Sequence, residues 1–151
     1  MTETTYSFRN LVLWQKAQAL TLEIIRLAAQ LPRDGVAPIM GSQAVRSASS
    51  IAANIAEGHG RFSLGAHSNH LSIAKGSACE TDGWLDLLRR ADYMDAETEQ
   101  RLHSACEEII RMLTAKILTF DREIKKRTSK IREDRESYLA GAASPNDDEG
   151  F

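Results

Sequence analysis

The stretch Ser50-Ile51-Ala52-Ala53-Asn54-Ile55-Ala56-Glu57-Gly58-His59-Gly60-Arg61 decides the fold. It ends a helical pattern that begins near Ile39. Met40, Ala44, Ser47, Ala48, Ile51 and Ile55 recur at helical steps and share one face. The positions between them, Ser49, Ser50, Ala52, Ala53 and Ala56, are small, so neighbouring helices can approach closely on more than one side. Gly58 and Gly60 stop the helix near residue 58, since glycine tolerates the left-handed backbone that follows a helix C-terminus.

Upstream, Leu13, Ala17, Leu20, Ile24, Leu27 and Leu31 follow steps of four and three and predict a helix over 10–30. Trp14 and Ile25 widen that stripe, and Pro32 with Asp34-Gly35 ends it. Downstream, Ser63 can cap a third helix over 63–93, about 45 Å long. Its main stripe is Leu64, Leu71, Ala74, Ala78, Leu85 and Leu88, and Ile73, Trp84, Leu87 and Ala91 form a partial second one. Asp95 can cap a fourth helix over 95–130, built on Leu102, Cys106, Ile109, Leu113, Ile117, Phe120, Ile124 and Ile131, with an extension expected into the charged stretch near Arg135. From residue 136 the composition turns to Gly, Ala, Ser, Pro and acids, so residues 136–151 are expected to be a disordered acidic tail. No strand-like alternation is present. The pattern predicts an all-α fold, an antiparallel up-down four-helix bundle, over residues 1–135.

Composition places the chain among ordinary globular domains, with 42% hydrophobic and 26% charged residues. Formal net charge is -2, which argues against a uniformly basic nucleic-acid coat. The acids are unevenly placed. Removing Glu136, Asp147, Asp148 and Glu149 from the 21 acids leaves 17 against 19 bases, or +2 over residues 1–135. Cys79 and Cys106 are too few for a disulfide framework or a zinc motif. No apolar run reaches the roughly 18 residues of a membrane span, and the N-terminus has no signal-peptide pattern, so a cytoplasmic location is expected.

Motifs for chemistry are sparse. His67 and His70 are three apart and can face one direction, but a di-iron bundle needs Glu-x-x-His motifs and none occurs. No nucleophile elbow is present, and Gly58-His59-Gly60-Arg61 lacks the Lys-Ser/Thr ending of a phosphate loop. No catalytic residue, metal ligand or cofactor site is expected, and the chain does not read as an enzyme. Two features carry more. Asn54, Glu57, Arg61, Lys75, Ser77 and Glu80 form a polar group around the second turn. It fits either a site for a polar ligand or a hydrogen-bonded network that sets helix register. On the second reading, Glu57 is a buried carboxylate that needs Arg61. Lys125, Lys126, Arg127, Lys130, Arg132 and Arg135 cluster late in helix four, either as phosphate contacts or as a solvated helix end whose bases favour the C-terminal dipole.

Several blocks together resemble a known family. They are Leu13-Trp14-Gln15-Lys16-Ala17, the opening stretch Ser50–Gly58 with Arg61, and Leu71-Ser72-Ile73-Ala74-Lys75-Gly76-Ser77 with Glu80, with Gln43 and Arg46 also in the expected places. Over Phe8–Phe120 the chain resembles the four-helix-bundle proteins encoded in intervening sequences of bacterial 23S ribosomal RNA genes. That family includes the accessory variability determinant of diversity-generating retroelements. The resemblance implies an up-down bundle, a ring-like homopentamer and no known enzymatic activity. In the retroelement members, the bundle is a nucleic-acid-binding partner of a reverse transcriptase.

The function expected from these readings is a non-catalytic oligomeric module that binds nucleic acid or a ribonucleoprotein partner. Arg46, Arg61, Lys75, Lys125, Lys126, Arg127 and Lys130 are the candidate phosphate contacts. Asn54, Glu57, Ser77 and Glu80 are the candidate network. Ile73, Trp84 and Leu87 are the candidate oligomer interface, unless Trp84 caps the core of a monomer. The alternative is a structural or protein-interaction bundle whose charges serve register and solubility.

Overall fold

The computed structural model describes residues 7–142. After one 3₁₀ turn at Phe8–Asn10 come four helices, α1 (Val12–Gln30), α2 (Ala37–His59), α3 (Leu64–Arg90) and α4 (Ala96–Ala142). No strand occurs among the described residues. α2 packs on α3, α3 on α4 and α1 on α2, and a lighter α1–α4 contact closes the bundle. Cross-helix partners show the antiparallel order. Ser47 meets Thr81 and Asn54 meets His70 between α2 and α3, while Lys16 meets Glu108 between α1 and α4.

The expected stripes form the core. Ala17, Leu20 and Ile24 face Ala44, Ala48, Ile51 and Ile55, with Leu71, Ala74, Ala78, Leu85 and Leu88 from α3 and Leu102, Ile109 and Leu113 from α4. Ile25 is the exception in α1, lying 43% exposed on the far side. The caps are where the sequence places them. Ser63 accepts from the Ala66 N–H at 3.1 Å, and Asp95 accepts from the Thr98 N–H at 2.7 Å. These bonds satisfy donors that a helix start leaves open, and the Thr98 bonds hold the Asp95 carboxyl below its ordinary range.

Two boundaries differ from expectation by three residues or more. α3 stops at Arg90 rather than 93, because Asp92 adopts φ 59°. The Asp92 N–H bonds Arg89 O at 3.1 Å and the Tyr93 N–H bonds Leu88 O at 3.0 Å, which is a Schellman ending with aspartate in glycine's usual place. α4 runs on to Ala142, so residues 136–142 are helix rather than disordered tail. Residues 143–151 lie outside the described residues. Beyond Ile124 every described position of α4 is exposed, so its last turns project from the bundle as an arm. Ser129–Glu133 and Arg132–Glu136 pairs at i,i+4 spacing support that arm locally.

Gly58 sets the closest approach of α2 to α3. A Cβ there would stand 3.0 Å from His67 Cδ2, 3.0 Å from His70 Cβ and 3.3 Å from His67 O. Alanine ordinarily favours a helix over glycine by about 1 kcal/mol. Here crowding outweighs that gain, and Gly58→Ala should destabilise the fold by about 1–3 kcal/mol. Urea unfolding measures this, and an unchanged or higher midpoint would show that the two helices part without cost.

Candidate functional site

The polar residues of the second turn form one line rather than a scattered group. Arg61 Nε donates to His70 Nε2 at 3.1 Å, and His70 Nδ1 meets Asn54 Oδ1 at 3.3 Å. Asn54 Nδ2 donates to Ser50 O at 2.9 Å and to Ser50 Oγ at 3.1 Å. Ser50 Oγ lies 2.9 Å from Ser77 Oγ, which donates to Ile73 O at 3.1 Å. Each link then has one donor, running from the guanidinium to a backbone carbonyl. This direction requires His70 to carry its proton on Nδ1, since Nε2 accepts from Arg61. Deeper in the same seam, Thr81 Oγ1 lies 3.0 Å from Ser47 Oγ and 2.8 Å from Ser77 O. Buried hydroxyls between two helices need such partners, because water is excluded there.

The seam joins Asn54, Glu57, Arg61 and Ser77, as the sequence suggests. Ser50, His70, Ser47 and Thr81 complete it and were not singled out for it. Their signal is polar side chains at core-facing helical steps, 47, 50 and 54 on α2 and 70, 77 and 81 on α3. Glu80 is not part of it. It is exposed, and its carboxylate accepts from Trp84 Nε1 at 3.4 Å. Glu57 pairs with Arg61, but the two side chains are 54% and 45% exposed, which corrects the expected buried carboxylate. Loss of Arg61 leaves Glu57 in water and costs at most about 1 kcal/mol.

The seven candidate phosphate contacts divide. Arg61 and the α4 bases share one end of the bundle, because α4 reaches the level of the α2–α3 turn at Phe120 and Asp121, where Phe120 packs on His67 and Ser68 meets Asp121. Lys125, Lys126, Arg127 and Lys130 are exposed on the arm. Among the described residues none of the four has a carboxylate within ion-pair distance. Arg46 and Lys75 lie elsewhere. Arg46 is more than three turns up α2 from the turn. Lys75 is half-buried between Ser68 and Asp82, seven residues from each, on the side of α3 that faces α4.

The outer face of α3 bears on assembly. Ile73 is 45% and Leu87 44% exposed, and a Cβ at Gly76 or Gly83 would meet nothing within 4 Å. Trp84 differs from its neighbours, since its ring is half-buried against the core.

Other reactive groups are restrained. Cys106 is buried and its thiol is pushed up to about 12, so it stays protonated. His67 turns to Phe120 while His70 joins the seam, so the two imidazoles do not share a direction. Among the described residues no three His, Cys, Asp or Glu side chains gather as a metal cluster. At the opposite end of the bundle, a cleft of about 970 Å³ holds Arg26, Arg89 and Arg101 beside Glu23, Asp92 and Asp95, so its charges balance. No described helix is long and apolar enough to cross a membrane.

A model of the 23S rRNA-intervening sequence protein family matches residues 9–115, from the first 3₁₀ turn into α4. The chain belongs to that family. A solved structure from Bacteroides thetaiotaomicron, a protein of unknown function from the S23 ribosomal protein family, agrees with this. It is 30% identical, has a TM-score of 0.64, and the alignment covers 70% of this chain and 98% of that one. Among curated proteins, none matches. The match to the 23S rRNA-intervening sequence family ends before Phe120, so the basic arm lies outside it.

His103 gives the bundle a pH dependence. Its Nδ1 lies 2.7 Å from Asp82 Oδ1, and this bond raises its pKa above the usual histidine value. A raised folded pKa adds stability below the unfolded value of about 6.5 and loses it as pH rises through the folded value. Asp82→Asn should therefore destabilise the protein more at pH 6 than at pH 9, by urea unfolding against the parent. His67 has the opposite shift, lowered mainly by burial, and it is common to both proteins. Equal losses at the two pH values would show that the pair contributes nothing through charge.

Proposed function

We propose that this chain works by binding and self-assembly, with the basic arm of α4 contacting nucleic acid and the outer face of α3 joining subunits. One observation carries the reading. Lys125, Lys126, Arg127 and Lys130 are exposed, without carboxylate partners among the described residues, on a helix that leaves the bundle, beside Arg61 at the same end. Phosphates displace counterions from such a cluster, which is a source of affinity without sequence readout. A ribonucleoprotein partner, a reverse transcriptase included, would use the same surface. The proposed role is non-catalytic, and the location cytoplasmic.

Support for assembly comes from Ile73 and Leu87, which protrude beside a glycine-lined strip on α3. Contiguous exposed apolar surface marks interaction sites, and identical chains close it by symmetry. A ring of five is the form the family resemblance implies. Trp84 would stand at the edge of this interface, since it already leans on its own core.

Both halves are tested on one preparation. Light scattering should give a mass several times the 16.7 kDa chain, and Ile73→Glu with Leu87→Glu should return it to one chain with its helix content intact. Fluorescence anisotropy with labelled RNA and duplex DNA should show binding whose log affinity falls against log salt with a slope of about -3 to -4, as roughly four phosphate contacts require. Replacing the four arm bases with glutamine should abolish it. No binding at low salt would favour the purely structural bundle, and a parent mass of one chain would defeat assembly.

A further inference from the structure

The bundle core is unfilled at the end where α4 leaves it. All four helices meet there around a cavity of about 410 Å³, within the range of small-molecule sites. Its walls are apolar, from Leu13, Ile55, Leu71, Met112 and Phe120. Lys116, His67 and His59 also line it. The Lys116 ammonium lies 4.8 Å from the centroid of the Phe120 ring and is exposed, and among the described residues no carboxylate pairs with it. The His67 ring stands 4.7 Å from Phe120 and 6.4 Å from His59, and among the described residues it makes no hydrogen bond.

Burial first, then His59, Lys116 and His70, press the His67 pKa below its usual value. His67 is then a neutral donor at neutral pH. The first turn of α1 adds to this, because Leu11 offers no side-chain cap to its open N–H groups. An apolar hole alone would be a packing defect, and such holes cost stability. A hole walled by hydrocarbon, with an ammonium and an imidazole N–H among its lining groups that have no partner among the described residues, has the chemistry of a binding site.

We propose that this open end binds an amphiphilic monocarboxylate, with an apolar tail of about eight carbons in the cavity and the carboxylate at Lys116 and His67. The apolar walls take a hydrocarbon tail, and the Lys116 ammonium with the His67 N–H takes a carboxylate. This site is separate from the arm, so it stands whether or not the arm binds nucleic acid.

The test uses the full chain, isotope-labelled and followed by amide NMR, with octanoate, 1-octanol and acetate as probes. Octanoate should give saturable shifts confined to the starts of α1 and α3, the Ile55–His59 end of α2 and the Met112–Phe120 segment. Octanol should bind the same place about tenfold more weakly, and acetate should not bind there, because the charged contact and the tail each contribute. Lys116→Gln, an exposed change, should bring octanoate to the level of octanol and leave octanol unchanged. Absence of saturable shifts, shifts mapping elsewhere, equal binding of octanoate and octanol, or an unaltered octanoate affinity in Lys116→Gln would each overturn the proposal.

Discussion

The close approach of α2 and α3 is the constraint on which the remainder of this structure depends. A side chain at Gly58 would crowd His67 and His70, and small residues at Ala44, Ala48, Ala52, Ala74 and Ala78 line the buried faces of the two helices. Two helices packed so closely exclude water from their polar side chains. Ser50, Asn54, His70 and Ser77 must therefore find one another, and they do so in a single directional line, with Thr81 and Ser47 paired beside it. Hydrophobic contact alone is non-directional. The hydroxyl and imidazole partners give it a register, since a shift by one turn would strand several of them.

That register places the other features. With α2 and α3 locked, the turn between them presents Arg61 outward and sets His67 against Phe120, which fixes the level at which α4 leaves the bundle. Everything beyond Ile124 is then unsupported by packing and projects its bases into solvent. The outer side of α3 is left without a partner helix, so Ile73 and Leu87 remain exposed. The family match covers residues 9–115, and the arm lies beyond it.

The four helices were legible from periodicity and from punctuation at Pro32, Gly35, Gly60, Ser63 and Asp95, although Gly58 lies inside α2 and Gly60 ends it at φ -78° rather than in the expected left-handed backbone. What escaped has physical reasons. Asp92 is a poor signal for a helix end, since aspartate reaches the left-handed region less readily than glycine. The length of α4 was hidden by composition, because charged residues and the Gly141 region resemble a tail. Yet Ile117, Ile124, Ile131 and Tyr138 repeat every seven residues through it. At the candidate site, Asn54, Glu57, Arg61 and Ser77 were identifiable from the turn they flank. His70 was not, since a lone histidine near another suggests surface or metal until its neighbours are known. Glu80, Arg46 and Lys75 show the converse difficulty. Charge is visible in a sequence, but which side of a helix meets which neighbour depends on the packing of all four.

Native-state hydrogen exchange tests most directly whether the α2–α3 seam holds the fold while the arm does not. Amides of Ile51–Ile55 and Ala74–Ala78 should exchange only through global unfolding, and their exchange free energies should equal the stability from urea titration. Amides beyond Ile124 should exchange in dilute, unliganded protein with little protection. Local opening of the seam below the global value, or an arm protected as strongly as the core under those conditions, would contradict this account.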